Sequence, residues 1–447
     1  MVFAGNLTKW ISASHCASLT LSWMVLSLPF MPQAAQSQLS PIGEVTFIAA
    51  GGDPAIAAAP DGSYVVAWSA NDGDGAGIFL RRFAASGSPL GDAQLVNSET
   101  TGHQQCPEIA FLQGGGFVVV WSAHSTVTNM RWIHGQRFDA AGIPVGTEFS
   151  VNVTTDTLPS GARVAAASDG GFLVAWSKRV LGDLYFRVVA RRFDSNGQPL
   201  SDEITMDLTS DGSHGSLNLD SDASGNFVLV WTCFGESSLD ASVVARRADA
   251  MGQPIGGEIE VNVFTAGDQD SPRVAVRQDG TFLVTWRDDT QDAGQPAIYG
   301  RLFSAIGVPA GDEFQVDAGI GSATVPHPAF EPSGTFLVFW SNIFSNGSGP
   351  RLVARQFDST GMPLGDAVLI SSPNELTTGG IRLSIPRGRA TGFAVWRSDG
   401  GQGGNQFDVY GRRFGLSLFS DGFESGDASA WSLAVPGVEE QWNENVR

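Results

Sequence analysis

Apolar and polar positions along this chain fall into short runs, and the runs recur. Seven times a run of apolar residues ends in tryptophan: SYVVAW, GFVVVW, GFLVAW, NFVLVW, TFLVTW, TFLVFW and GFAVW, closing at Trp68, Trp121, Trp176, Trp231, Trp286, Trp340 and Trp396. The spacings are 53, 55, 55, 55, 54 and 56 residues. A fixed period of this length marks an array of supersecondary units, and it takes precedence over any other assignment. A second marker keeps step. It is a basic pair followed by an aromatic, as in Arg81-Arg82-Phe83, Arg191-Arg192-Phe193 and Arg412-Arg413-Phe414, with degenerate forms at Gln136–Phe138, Arg246–Ala248, Arg301–Phe303 and Arg355–Phe357. A Gly-x-Pro turn usually follows, for example Gly142-Ile143-Pro144.

Each unit predicts four strands. In repeat 2 they are PEIAF (107–111), FVVVW (117–121), IHGQRF (133–138) and TEFSVN (147–152), here called A to D. Val, Phe, Ile and Trp suit a pleated, half-buried surface, and glycines punctuate the turns. Asp-Gly at 61–62, 169–170 and 279–280 predicts type I′ hairpins between A and B. No helical periodicity interrupts residues 41 to 414. Four strands in each of seven units predict an all-β, seven-bladed β-propeller with four antiparallel strands per blade. A linear solenoid fits less well, because its coils run to about 20–30 residues. The chain ends point the same way. Repeat 7 has strands A to C and no D, whereas residues 41–48 (PIGEVTFI) match the lead-in of strand D at Pro144–Val151. The N-terminal strand 41–48 is expected to complete blade 7 and close the ring, which removes two open edges.

Composition then narrows the setting. The 447 residues are 42% hydrophobic and 16% charged, a globular balance, and 55 glycines suit a turn-rich β-protein. The net charge of −20 repels phosphate backbones, so nucleic acid is not an expected partner. Cys16 lies in a segment expected to be removed, and Cys106 and Cys233 fall in different repeats, so no disulfide framework is expected. Residues 1–36 read as a signal peptide: Lys9, an apolar stretch at 16–31, and small residues around Ala35. That stretch is short for a membrane span, and no transmembrane segment is expected. The plan is a signal peptide (1–36), a propeller (37–416) and a C-terminal tail (417–447) that is disordered or serves sorting.

Residues 114–152 closely resemble, and residues 41–414 resemble in degenerate form, the tandem-repeat β-propellers of secreted and cell-surface bacterial proteins, whose units read DGGFVVVW…GQRFD…GxPxGxEFxVN. Some of those proteins are adhesin-like or calcium-binding exoproteins. The tail, DGFESGD-x-SAWS over Asp421 to Ser432, resembles a C-terminal signature of exported proteins of Gram-negative bacteria. The resemblance implies a bacterial protein, secreted or held in the envelope, and implies surface association more than any reaction. Ala248, Leu302 and the Pro386–Arg389 insertion depart from the pattern.

Candidate chemistry is sparse. A tryptophan repeated once per unit is expected to pack one blade on the next, and the arginine pair to bond between blades. Asp220-Ser221-Asp222-Ala223-Ser224-Gly225 resembles the start of a calcium loop, with Asp220, Asp222 and Ser224 as the oxygen donors, though Trp231 stands where an EF-hand would close with Glu. Calcium is the one cofactor the residues suggest. From Asp169 to Trp176 is seven residues, two more than a sialidase Asp-box requires. The six histidines show no zinc spacing, and no nucleophile elbow or phosphate loop is present, so no catalytic residue is assigned. The B–C loops differ in every repeat and carry Asp72, Asp74, Glu236, Asp240, Asp288, Asp289 and Asp292. Variable loops on a rigid scaffold are where binding usually resides. The expectation is therefore a non-catalytic, monomeric binding or adhesion scaffold that takes a protein or glycan on its B–C loop face. The alternatives are a propeller enzyme acting on polysaccharide, either a glycoside hydrolase or a lyase, and a calcium-binding structural protein of the envelope. Converging carboxylates in a deep axial pocket would favour the enzyme, and a flat face the binder.

Overall fold

The computed structural model describes residues 38–417, except 127, 129, 154–156, 181, 209–211, 236–239, 293, 318–321, 344–349, 372–378, 387–388, 390 and 399–406. The segment read as a signal peptide, the tail from 418 onward and Glu236 lie outside the described residues. Those described are strands, turns and connecting segments without a helix, so none is long and apolar enough to cross a membrane.

Each repeat folds into an antiparallel sheet with its strands in chain order. In repeat 2 these are A (Gly102–Phe111), B (Phe117–His124), C (Arg131–Phe138) and D (Pro144–Ser150), with Ile109 opposite Val119, Trp121 opposite His134 and Gly135 opposite Phe149. Repeats 3 to 6 form separate four-stranded sheets, while repeats 1 and 2 share one of eight strands. The join is a short parallel pairing of Gly75 with Gly102 and Ala76 with His103. A Cβ at Gly75 would lie 2.0 Å from the Gly102 carbonyl oxygen, so glycine is what lets these strands meet. The strand preceding repeat 1, Gln38–Ala50, pairs antiparallel with strand C of repeat 7, Asp408–Ser417, with Pro41 opposite Phe414 and Phe47 opposite Tyr410. It extends beyond 41–48 at both ends. The fold is an all-β propeller of four-stranded antiparallel sheets.

Two local expectations are corrected. Strand D shrinks to two residues in repeats 1, 3, 5 and 6 (Gln94–Leu95, Ile204–Thr205, Phe314–Gln315 and Val368–Leu369). In those repeats the proline of the turn is followed three residues later by Asp92, Asp202, Asp312 or Asp366, a poor strand former, whereas repeats 2 and 4 lack an aspartate there and carry β-branched Val145 and Ile255 directly after the proline. The Asp-Gly pairs do not make type I′ turns. Gly62 donates to the Ala59 carbonyl (2.9 Å), Ala59 donates to Ser63 (2.8 Å), and only the glycine has positive φ (+88°). Three residues, not two, separate the strands, and a type I turn with a left-handed glycine spans that gap. Asp61 caps the turn by accepting the Ser63 N–H at 2.8 Å.

Adjacent sheets are held by side chains that repeat with the unit. Trp121, Trp176, Trp231, Trp286, Trp340 and Trp396 are fully buried. Trp121 packs on Ala55, Val65, Ala67 and Leu80 of the preceding sheet, and Trp231 on Leu173, Ala175 and Ala190. Truncating such a residue costs on the order of 3–5 kcal/mol. The arginine pair bonds between sheets, as expected. The first arginine reaches back to the preceding repeat: Arg191 to Val151 O (2.9 Å), Arg246 to Met206 O (2.8 Å), Arg412 to Ile370 O (2.9 Å). The second reaches forward: Arg192 to Ala250 O (2.9 Å), Arg247 to Ile306 O (2.9 Å), and Arg413 to Ser86 O of repeat 1 (3.3 Å). Glu148, Glu203 and Glu258 add a third tie, accepting the N–H of Ser98, Val153 and Leu208 one repeat earlier.

Candidate active site

The A strands of the seven repeats are Gly52–Ala58, Gly102–Phe111, Thr157–Ala166, Ser213–Ser221, Gln269–Val276, Ser322–Phe330 and Gly379–Ser384. All are bulged at the same point, where pairing with strand B slips, for example between Gln105 and Glu108 and between Asp270 and Arg273. Within each bulge one residue has positive φ: Asp53 (48°), Cys106 (54°), Gly161 (65°), Ser216 (50°), Ser271 (53°), Val325 (23°) and Gly380 (62°). A bulge re-aims the side chains that follow it. Two residues after it come Ala55, Glu108, Arg163, Asn218, Arg273, His327 and Arg382. Five of these, Glu108, Asn218, Arg273, His327 and Arg382, line a central cavity of about 610 Å³, to which the A strands of repeats 1 and 3 contribute Ile56 and Val164, the neighbours of Ala55 and Arg163.

Charge converges here. Glu108 Oε1 lies 3.1 Å from Arg163 and 3.2 Å from Arg382. Burial pushes the Glu108 carboxyl up, but the guanidiniums of Arg163, Arg382 and Arg273 outweigh it and hold the group below the usual carboxylate range. Burial, reinforced by Arg163 and Arg382, holds Arg273 well below the ordinary guanidinium value. His327 is 7% exposed, and its Nε2 has no hydrogen-bond partner. Burial, and then the positive charges of Arg273, Arg382 and Arg163, push its pKa well below 6.5, so the imidazole is neutral.

The residues expected to carry function lie elsewhere or are engaged. Asp220 accepts the N–H of Ser221 (2.8 Å) and Val276 (2.7 Å), and Asp222 binds Asn226 through both carboxylate oxygens at 2.8 Å. The Ser224 carbonyl accepts the Ser168 hydroxyl. Among the described residues no group of three His, Cys, Asp or Glu side chains is placed to hold a metal ion. Asp74 and Asp240 are exposed, and Asp72 is half-buried, accepting the Asp74 N–H. Asp288 and Asp289 sit within the long strand B of repeat 5, Phe282–Asp292, and not on a free loop. Asp288 is fully buried and accepts the N–H of Thr290 and Gln291. Asp289 pairs with Arg287 at 2.5 Å, and Asp292 accepts the Gln315 amide.

Neither a protein-family profile nor a curated protein matches this chain. Solved structures do. The polysaccharide lyase Uly1 superposes with a TM-score of 0.52 at 10% identity, over 87% of this chain and 95% of that one. An α-L-arabinanase of Penicillium chrysogenum, complexed with arabinobiose, gives 0.46 at 14% identity over 70% and 92%. An α-L-arabinofuranosidase of Fusarium graminearum gives 0.46 at 11% identity over 72% and 96%. At these identities the likeness is one of fold. The expectation of a non-catalytic scaffold working through its B–C loops is corrected on two findings. Solved structures that share its fold include a polysaccharide lyase, an arabinanase and an arabinofuranosidase, and its ionisable side chains converge in the central cavity.

Sequence reasoning passed over that ring. Its signal was a position repeating every 53 to 55 residues whose chemistry changes each time, between neighbours that stay apolar. The tryptophans drew attention by being constant, whereas a site shared among repeats shows itself through inconstancy.

Proposed function

We propose that this chain is an exported, polysaccharide-cleaving enzyme on a seven-bladed propeller closed by Gln38–Ala50, with its reaction centre in the central cavity. The observation that carries the reading is His327, a buried neutral imidazole whose Nε2 has no hydrogen-bond partner, in the wall of a cavity of about 610 Å³ that Arg273 and Arg382 also line. A neutral imidazole can take a proton from a bound sugar. Fixed guanidiniums can stabilise negative charge as it develops. Glu108, held ionised by Arg163 and Arg382, serves to position those two side chains. Pockets that combine perturbed ionisable groups with a wide concave wall are the usual setting of catalysis. The test is a panel of neutral and acidic polysaccharides incubated with the purified protein, read by release of new chain ends. Release is expected from at least one polymer and is lost in His327→Asn, whose melting temperature stays near that of the parent. No release from any polymer, or undiminished release by the variant, rejects the reading.

A further inference from the structure

At the position that follows the bulge, positive charge exceeds negative, although Asp220, Asp279 and Glu331 line the cavity elsewhere. At the ring position three guanidiniums, of Arg163, Arg273 and Arg382, meet one carboxylate, Glu108, while Ala55, Asn218 and the neutral His327 carry no charge. Glu108 is shared between Arg163 and Arg382. Arg273 forms no ion pair among the described residues; its guanidinium donates to the Pro272 carbonyl at 2.8 Å. Asp220, which also lines the cavity, directs its carboxylate to the backbone N–H groups of Ser221 and Val276. An unpaired, half-buried guanidinium in a cavity wall is costly in any fold. In a chain of net charge −20 its placement here is the more telling, since the surrounding field is acidic. A bound anion removes that cost, and a carboxylate matches the guanidinium fork in two parallel hydrogen bonds.

We propose that the substrate is an acidic polysaccharide, that its uronate carboxylate docks on Arg273 with Arg382 flanking it, and that His327 cleaves the chain by β-elimination. This rests on the reading of the cavity as a polysaccharide-cleaving centre. The chemistry balances without a co-reactant. Pairing the carboxylate with guanidinium acidifies the hydrogen on the adjoining ring carbon. His327 Nε2 takes that proton, and the C–H electron pair forms a double bond to the next carbon. The glycosidic C–O bond at that carbon breaks, its electrons leaving on oxygen. That oxygen takes the proton back from the imidazolium, directly or through water, and His327 is neutral again. Hydrolysis needs two carboxylates, one of them protonated. Of the carboxylates that line the cavity, Glu108 is held ionised, Asp220 and Asp279 are engaged by backbone N–H groups and Thr281, and Glu331, whose carboxyl burial raises, is tied to Thr335 and Gln356.

The test uses the purified protein with polymers of galacturonate, glucuronate and mannuronate/guluronate, each paired with its carboxyl-reduced form, and with a sulfated neutral glycan and arabinan. The expected result is growing ultraviolet absorbance from an unsaturated uronate with at least one uronate polymer, and none with its reduced form. Arg273→Met is expected to weaken binding of that polymer's oligomers by about tenfold or more, and His327→Asn to leave binding in place while abolishing the absorbance. Arg273→Met removes an unpaired cation, so its melting temperature should not fall; if it does, Arg273→Lys, which keeps charge but loses the fork, must show the same weakening. Equal cleavage of a uronate polymer and its reduced form, or cleavage of arabinan by chain and Arg273→Met alike, overturns the acidic-substrate inference and leaves the polysaccharide-enzyme reading standing. Arg273-dependent uronate binding without cleavage of any polymer overturns elimination and the enzyme reading together. Binding confined to the sulfated glycan overturns the carboxylate assignment.

Discussion

At the scale of single residues, the most heavily constrained ionisable group outside the cavity is His214. It is 2% exposed, its Nδ1 lies 3.2 Å from Asp207, and Cys233 stands opposite it on strand B. Burial lowers its pKa, but bonding to Asp207 and Cys233 prevails and pushes it up to about 9. Asp207 is held below its usual value against the effect of burial by His214 and Arg187. The sign follows from linkage. A group whose folded pKa lies above its unfolded value of about 6.5 stabilises fully below that pH and loses the contribution as pH rises through the folded pKa. Repeats 2 and 5 carry Gln104 and Gln269 at this position, and Gln269 bonds Asn262, the counterpart of Asp207. His214→Gln therefore has a built precedent in the same chain. The parent is expected to lose thermal stability relative to His214→Gln between about pH 6 and pH 10. Parallel melting curves across that range would show that the pair carries no charge-linked stability.

At the scale of the element, the bulge in strand A recurs in all seven repeats although two of them alone supply glycine at its positive-φ position. Left-handed backbone costs an L-residue roughly 1–2 kcal/mol, and most for a β-branched one. Val325, at φ 23°, bears that strain two residues before His327. Val325→Gly is expected to raise stability by about 1 kcal/mol by chemical denaturation, with the Ala323 and His327 registers intact; a destabilised variant would place the energetic value of Val325 in its side chain. This element also marks where the sequence could be read and where it could not. Strands B and C were legible because their inward positions repeat as Phe, Val and Trp. The bulge was not, because Asp53, Cys106, Ser216 and Val325 share no side-chain chemistry, only a backbone angle that pairing with strand B imposes. The ring of Glu108, Arg163, Arg273, His327 and Arg382 was hidden for the same reason: its members come together only when seven bulges set them on one cavity. The short D strands were readable in principle, from Asp92, Asp202, Asp312 and Asp366.

At the scale of the whole molecule, the pairing of Gln38–Ala50 with Asp408–Ser417 joins residues some 370 positions apart. Repeats 7 and 1 also meet through Ala58 N–H to the Ser384 hydroxyl (3.0 Å), and repeats 7 and 2 through Arg382 to Glu108 (3.2 Å). The last of these ties repeat 7 to a cavity residue of repeat 2. Removing residues 37–50 is expected to unfold or oligomerise the protein by exposing an unpaired edge on Asp408–Ser417. A monomeric deletion variant that melts like the parent would count against closure by this strand.

The arginine pairs have a consequence of another kind. Their guanidiniums grip carbonyl oxygens of the adjoining repeats, at Val151, Met206, Ala250 and Ile306 among others. A grip on main-chain oxygen is blind to the side chain above it. Each unit can therefore mate with any neighbour whose backbone follows the same path, whatever its loops display. Such a coupling is modular: the residues between the latches are at liberty to diverge, a unit can be exchanged for its sibling, and the chemistry at the centre can be rewritten one spoke at a time without renegotiating the frame.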